Sequence, residues 1–329
     1  MRAWCYEKAG TADDVLRSGE REAPEPSKGE VRVRVRRSAV NPTDAKRREN
    51  GRELGLFSLI IPDNDGSGVI EAVGEGVDAA RIGERVWIFG AQAGRPLGTA
   101  ADYCVLPSRQ ARHLPDGQSF DDGACLGVPA VTAHRGCFGD GPIDGKWVLI
   151  TGGTGRVGRY AVQIAKIAGA KVIATAGTPA KAADLAGLGA DHVVNYREED
   201  LVAAVKEITS GVGVDRFIDV AFGVNITNVP SLVRTNGVVT SYGSDAVAKP
   251  EIPFLALMYA NILVRPFAIF AMPREAQDAA FADIEKWCAE GALDHVVAER
   301  FAFEQLPAAH KAIESGALTG CCLVTVSDD

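Results

Sequence analysis

Three textures of apolar and polar positions follow one another along the chain. Residues 31–36 read Val-Arg-Val-Arg-Val-Arg, a period of two that predicts a strand with valines inward and arginines toward water. Short apolar runs at 68–73, 85–89 and 102–105 are separated by Pro62, Gly66, Gly74, Gly76, Gly83, Gly90 and Gly98. Closely spaced strands with Gly/Pro turns predict a small, barrel-like β domain. The second texture begins at Ser119-Phe120-Asp121-Asp122, a capping-box pattern opening a helix to about residue 138. Gly139-Asp140-Gly141-Pro142 then breaks the chain. From Lys146, apolar strands at 147–151, 171–175, 192–195, 216–220 and 238–241 alternate with helical patterns from 156 and around 181–188. That alternation predicts a doubly wound parallel sheet.

The third texture, after about residue 267, holds an amphipathic helix at 275–288 and a strand near 321–326 expected to return to the first domain. The expected division is therefore 1–119, rejoined by 268–329, and an inserted nucleotide-binding domain at 120–267, with a substrate cleft between them. The apolar segment 252–272 contains Pro253, Asn261, Arg265 and Pro266, poor contents for a hydrocarbon interior, so it is expected as buried strand and helix rather than as a membrane span.

Composition narrows the picture. A chain of 329 residues fits two domains, and 47% apolar with 24% charged residues excludes a disordered or low-complexity protein. The 36 glycines promise many tight turns. A net charge of −8 argues against a nucleic-acid or anionic-membrane partner, and the arginines near residue 34 read as one face of the alternating strand. Seven cysteines with no C-x-x-C pair indicate a reducing compartment, and the N-terminus has no apolar core of a signal peptide. A cytoplasmic location is expected.

Candidate chemistry begins where the strand Trp147–Thr151 runs into Gly152-Gly153-Thr154-Gly155-Arg156-Val157-Gly158. Gly153, Gly155 and Gly158 form G-x-G-x-x-G between a strand and a helix whose Val157, Ala161, Ile164 and Ala168 are helically spaced. In that setting the glycines let backbone approach a pyrophosphate, and the helix N-terminus supplies free N–H groups. Neither a P-loop string nor a Tyr-x-x-x-Lys pair occurs. An NAD site carries a carboxylate about 20 residues after the first glycine. Here Ala174-Thr175-Ala176-Gly177-Thr178-Pro179-Ala180-Lys181 offers Thr178 and Lys181 and no acid, which favours the 2′-phosphate of NADPH.

The ordered strings Val40-Asn41-Pro42-Thr43-Asp44, Asp65-Gly66-Ser67-Gly68-Val69, Gly83-Glu84-Arg85-Val86 and Val128-Pro129-Ala130-Val131-Thr132-Ala133-His134 resemble the medium-chain dehydrogenase/reductase superfamily. Residues 189–201, Gly-Ala-Asp-His-Val-Val-Asn-Tyr-Arg-Glu-Glu-Asp-Leu, are similar to its NADPH:quinone oxidoreductase (zeta-crystallin-like) branch. The resemblance implies an α/β protein, a GroES-like β-barrel plus a Rossmann domain. It also implies that Gly153, Thr154, Gly155, Val157 and Gly158 bind pyrophosphate, that Thr178, Lys181 and Tyr196 surround the 2′-phosphate and adenine, and that Gly223, Tyr242 and Gly243 line the cofactor. Asn41 and Thr132 would face nicotinamide and substrate. Lys46 stands where such reductases often carry tyrosine, which adds it as a candidate for substrate binding or proton donation.

Zinc members of the superfamily carry Cys where Asn41 stands, Gly-His-Glu where Asp63-Asn64-Asp65 stands, and a third ligand near Val128. Asn and Val offer neither thiolate nor imidazole, so no metal is expected. Without a Lewis acid, alcohol oxidation is disfavoured, and hydride transfer from NADPH to a quinone or other electron-poor carbonyl is expected. An enoyl or alkenal double-bond reductase and a non-catalytic NADPH-binding sensor stand as alternatives. The expected partners are a small-molecule substrate and, by the resemblance, a second copy of the chain joined at the edge of the nucleotide-binding sheet.

Overall fold

The Val-Arg alternation lies inside an eleven-residue strand, Glu30–Val40, whose Val31, Val33 and Val35 are fully buried while Arg34 is exposed. The structure is a computed structural model that describes residues 1–328. The first half of Glu30–Val40 pairs antiparallel with Tyr103–Pro107 and its second half with Cys321–Thr325. Its other edge pairs with Asp65–Val73, which continues through Arg85–Ile88 to Ala111–His113. Val297–Ala302 completes the seven-stranded sheet beside Cys321–Thr325. The main core of this unit holds Tyr6, Leu16, Ile60, Ile70, Ile88 and Leu106 at or near zero exposure.

The capping box forms as read. Asp122 Oδ2 accepts from the Ser119 N–H at 2.8 Å, and the Asp122 N–H donates to Ser119 Oγ at 3.1 Å. The helix Phe120–Phe138 is broken at Gly127 (φ −15°, ψ −114°), two residues before Pro129, which can donate no helical hydrogen bond. Two compact units result, Met1–Pro129 with Phe281–Asp329, and Ala130–Ala280. These edges lie about ten residues beyond the divisions read from sequence. Ala124 and Cys125 pack with Ala39, Cys321 and Leu323, and Phe281 stacks edge-on against Trp87 and Phe89 at 5.6 and 5.4 Å.

The second unit is a six-stranded, all-parallel sheet in the order His192–Asn195, Lys171–Ala176, Trp147–Ile150, Val214–Asp219, Val233–Ser241, Leu263–Pro266. Val148, Leu149, Ile150, Ile173, Phe217 and Ile218 are fully buried, as strands covered on both faces must be. The chain runs outward on one side from Trp147–Ile150, then returns to start the other side at Val214–Asp219. The crevice at that reversal is the topological switch point.

The segment 252–272 departs from expectation. It forms a short helix, Phe254–Tyr259, and the edge strand Leu263–Pro266, but Phe254, Leu255 and Tyr259 are 67%, 61% and 80% exposed rather than buried. All three lie on the short helix, of which only Leu257 is buried. Among the described residues no helix is long and apolar enough to cross a membrane.

Candidate active site

In the parallel-sheet unit, each glycine after Trp147–Ile150 has its own reason. Gly152 adopts φ +61°, a left-handed conformation that favours glycine. A Cβ on Gly153 would touch both Leu185 methyls at 3.0 Å, and one on Gly158 would lie 2.1 Å from Gly152 O, so helix and loop pack backbone against backbone. Thr175 anchors the loop: its Oγ1 accepts from the Gly152 N–H at 3.2 Å and its carbonyl from the Gly153 N–H at 3.3 Å. The helix Arg156–Ile167 starts on Gly155, an N-cap that supplies no side-chain acceptor. Its first-turn N–H groups and dipole therefore suit an anion such as a pyrophosphate. Thr154 is buried, and Val157 is half-buried on the first turn.

At the end of the next strand, Thr178 caps the helix Pro179–Gly187 by accepting from the Lys181 N–H at 3.3 Å. A Cβ on Gly177 would meet the Tyr196 phenol oxygen at 2.8 Å and Arg197 Nε at 3.2 Å. Thr178, Lys181, Tyr196 and Arg197 thus gather at the tips of two adjacent strands. Arg197 was missed by sequence reasoning, although it follows Tyr196 directly in the quoted string.

On the far side of the switch point, Gly223 donates from its N–H to Ser244 Oγ at 2.9 Å, and Gly243 O accepts from the Phe222 N–H at 3.0 Å. Cβ atoms at Gly223 and Gly243 would strike Val247 O at 2.1 Å and Val220 O at 2.6 Å. The Tyr242 ring lies 6.4 Å from that of Phe267, and burial pushes its phenol well above the ordinary range, with the Asp219 charge adding to the shift. Thr132 lies buried on the helix Phe120–Phe138.

In the barrel unit, Asn41 heads the helix Pro42–Asn50, and Asp44 reaches back to accept from the Asn41 N–H at 2.8 Å. The Asn41 side chain is 3% exposed and donates through Nδ2 to Asp65 Oδ2 at 2.7 Å. The Val128 N–H donates to the same oxygen at 2.7 Å. The break at Gly127 permits this approach, because a Cβ there would lie 2.1 Å from Asp65 Oδ1. Asn64 Nδ2 donates to Asp44 Oδ1 at 2.5 Å. Asp63, at φ +75°, accepts from Ser38 Oγ at 3.0 Å and lies 3.1 Å from His310 Nε2, all fully buried. Lys46 lies on an exposed face of the same helix as Asn41.

The charges here are unusual. Burial first, then the nearby Asp44, pushes the Asp65 carboxyl up to about 8, against hydrogen bonds from Val128, Asn41 and the Gly90 amide. Burial and the Asp63 charge push Asp44 up to about 6. Asn41 and Val128 are thus joined through one carboxyl, Asp65, that burial favours in its protonated form. Asp44, Asp63 and Asp65 had no assigned role in the sequence reading; the usable signal was an acid opening the apolar strand Asp65–Val73.

Residues 27–116 match the alcohol dehydrogenase GroES-like domain, and residues 157–285 match the domain described as zinc-binding dehydrogenase. The chain is 28% identical over 294 residues to human quinone oxidoreductase, covering 89% of this chain and 88% of that protein. It is 30% identical over 273 residues to a zinc-type alcohol dehydrogenase-like protein of Schizosaccharomyces pombe, covering 77% and 78%. The solved structure of Escherichia coli quinone oxidoreductase complexed with NADPH superposes with a TM-score of 0.86 at 26% identity, over 99% of this chain and 100% of that one. With both domain types in order and relatives spanning most of its length, the chain is an oxidoreductase of the medium-chain dehydrogenase/reductase superfamily, in its quinone oxidoreductase-like branch.

Proposed function

We propose that this chain is a zinc-independent NADPH reductase whose acceptor is a quinone or another electron-poor, conjugated carbonyl compound. The observation that carries the reading is the hydrogen-bonded group Asn41–Asp65–Val128. Where the resemblance puts Cys, His and a third metal ligand, this chain has Asn41, Asn64 and Val128, with Asp65 accepting from the first and the last, and that set contains no sulfur or imidazole. The zinc in the matched domain's name does not suit these residues. An alkoxide forming during alcohol oxidation needs a strong electrophile, whereas a quinone accepts hydride with its own low-energy acceptor orbitals.

NADPH is supported by Lys181 and Arg197, two cations beside Thr178 and Tyr196, at strand tips where an NAD site would hold an acid. When bound, the cofactor supplies the hydride; the chain binds, orients and excludes water. Gly153, Thr154, Gly155, Val157 and Gly158 would hold the pyrophosphate, Gly223, Tyr242 and Gly243 the nicotinamide half, and Asn41 and Thr132 the reacting end. Each acceptor must also gain a proton, from solvent or from a polar side chain such as Lys46. A homodimer is supported by the exposed apolar group Phe254, Leu255 and Tyr259 beside the edge strand Leu263–Pro266.

The test is NADPH oxidation by the purified chain against a quinone, an enone and an enoyl thioester. Turnover on the quinone supports the reading. Fast enone but negligible quinone reduction moves it to a double-bond reductase, and cofactor binding without turnover on any acceptor rejects it for a sensor.

A further inference from the structure

Asp219 ends the strand Val214–Asp219 at zero exposure, and its two oxygens are treated very differently. Oδ1 accepts from Thr151 Oγ1 at 2.6 Å, the Ala221 N–H at 3.0 Å and Asn225 Nδ2 at 2.8 Å. Oδ2 is buried with no hydrogen-bond partner among the described residues. An open acceptor on a buried carboxylate is destabilising, so it requires an explanation.

Its place in the sheet supplies one. The strands run His192–Asn195, Lys171–Ala176, Trp147–Ile150, Val214–Asp219, Val233–Ser241. The cationic group at Thr178, Lys181, Tyr196 and Arg197 sits at the tips of the first two. The glycine loop and its helix N-terminus follow the third. A dinucleotide whose 2′-phosphate meets the cations and whose pyrophosphate meets the loop must extend its remaining half over the fourth and fifth strands. Asp219 is the last residue of the fourth, at the switch point, and its Oδ1 holds Thr151, which leads into the loop.

We propose that Asp219 Oδ2 accepts a hydrogen bond from a hydroxyl of the nicotinamide-side ribose of the bound cofactor. This rests on the cofactor reading above. Asp219 then joins both halves of the site. One oxygen fixes the entry to the phosphate loop, and the other fixes the ribose that carries the reacting ring. The same contact supplies the donor that the buried carboxyl, which burial pushes above its ordinary range, lacks.

Equilibrium binding of NADPH and of adenosine 2′,5′-bisphosphate to the full chain tests it, because the second ligand keeps the 2′-phosphate and lacks the nicotinamide-side ribose. Asp219→Asn is expected to weaken NADPH at least about tenfold while changing the bisphosphate by less than about twofold. Should the asparagine variant fold poorly, the wild type carries the test: an NADPH analogue without the nicotinamide-side ribose hydroxyls is expected to bind at least about tenfold more weakly than NADPH, and equal binding overturns the proposal. Thr151→Val is expected to weaken both ligands together, since it loosens the loop alone. Equal weakening of both ligands by Asp219→Asn, or no weakening of either, overturns the proposal. The contrast repeated with NADH and 5′-AMP separates it from the choice between the two cofactors. Failure of the wild type to bind any of the four overturns the cofactor reading and this one with it.

Discussion

Replacing Asp65 by asparagine should stabilise the barrel unit at alkaline pH and remove a pH dependence that the wild type carries. The folded carboxyl titrates near 8, and in the unfolded chain near 3.8. Between those values the folded state keeps a proton that the unfolded chain has lost. Unfolding therefore releases a proton, and stability falls as pH rises from about 4 to about 8 before levelling off. Integrated from pH 5.5 to pH 8.5, this one group costs about 3 kcal/mol. Asparagine preserves the shape. Its carbonyl can accept from Asn41 Nδ2 and the Val128 N–H as Oδ2 does, and its amide takes the place of Oδ1, which has no hydrogen-bond partner.

The assay is urea unfolding of the full chain at the two pH values, followed by tryptophan fluorescence. Trp4, Trp87 and Trp287 lie in the unit that contains Asp65, so the signal reports mainly on it. The quantity of interest is the stability of the variant minus that of the wild type, in which most other titrating groups cancel. It should rise by about 3 kcal/mol between pH 5.5 and pH 8.5. A difference that stays constant would show that Asp65 is ionised throughout, its hydrogen bonds outweighing its burial.

Three further outcomes are expected. Lys181→Ala should raise the KM for NADPH much more than that for NADH; equal effects would reject the 2′-phosphate assignment. Gly158→Ala puts a methyl 2.1 Å from Gly152 O, so it should cost about 1–3 kcal/mol of stability and weaken cofactor binding at least about tenfold in a direct titration. Lys46→Met should lower kcat/KM for the preferred acceptor more than tenfold, about 1.4 kcal/mol of transition-state stabilisation, if the amine serves the reaction; an unchanged value removes Lys46 from the site.

Local rules made most of the fold legible. The period-two valines, the Ser119–Asp122 box and the strand–glycine–helix of the phosphate loop each declare themselves within about ten residues. The exposed strand Val297–Ala302 went unread because it has no alternating burial to advertise it. The buried acids were illegible for a different reason. Asp65 takes its donors from 24 and 63 residues away, Asp63 meets His310 across 247, and Asp219 holds Thr151 across 68. In sequence an acid near a glycine reads as a turn residue, and only the tertiary pairing shows that water has been removed from it.

Asp65 and Asp219 pose one physical problem and invite two different answers. Each is fully buried, with one carboxylate oxygen well supplied with donors and the other without any. The open oxygen of Asp65 is closed off by the chain itself, since Gly127 is so near that even a methyl group would collide with it. Among the described residues no donor reaches it, and burial without a cation favours a proton on the carboxyl. Asp219 stands instead at the end of a central parallel strand, at the sheet's switch point and bonded to Thr151 where the phosphate loop begins. The two sites should therefore respond to different variables. Titration should alter the state of Asp65 whether or not cofactor is present. Cofactor binding should draw Asp219 toward its ionised form, because a donated hydrogen bond stabilises the carboxylate.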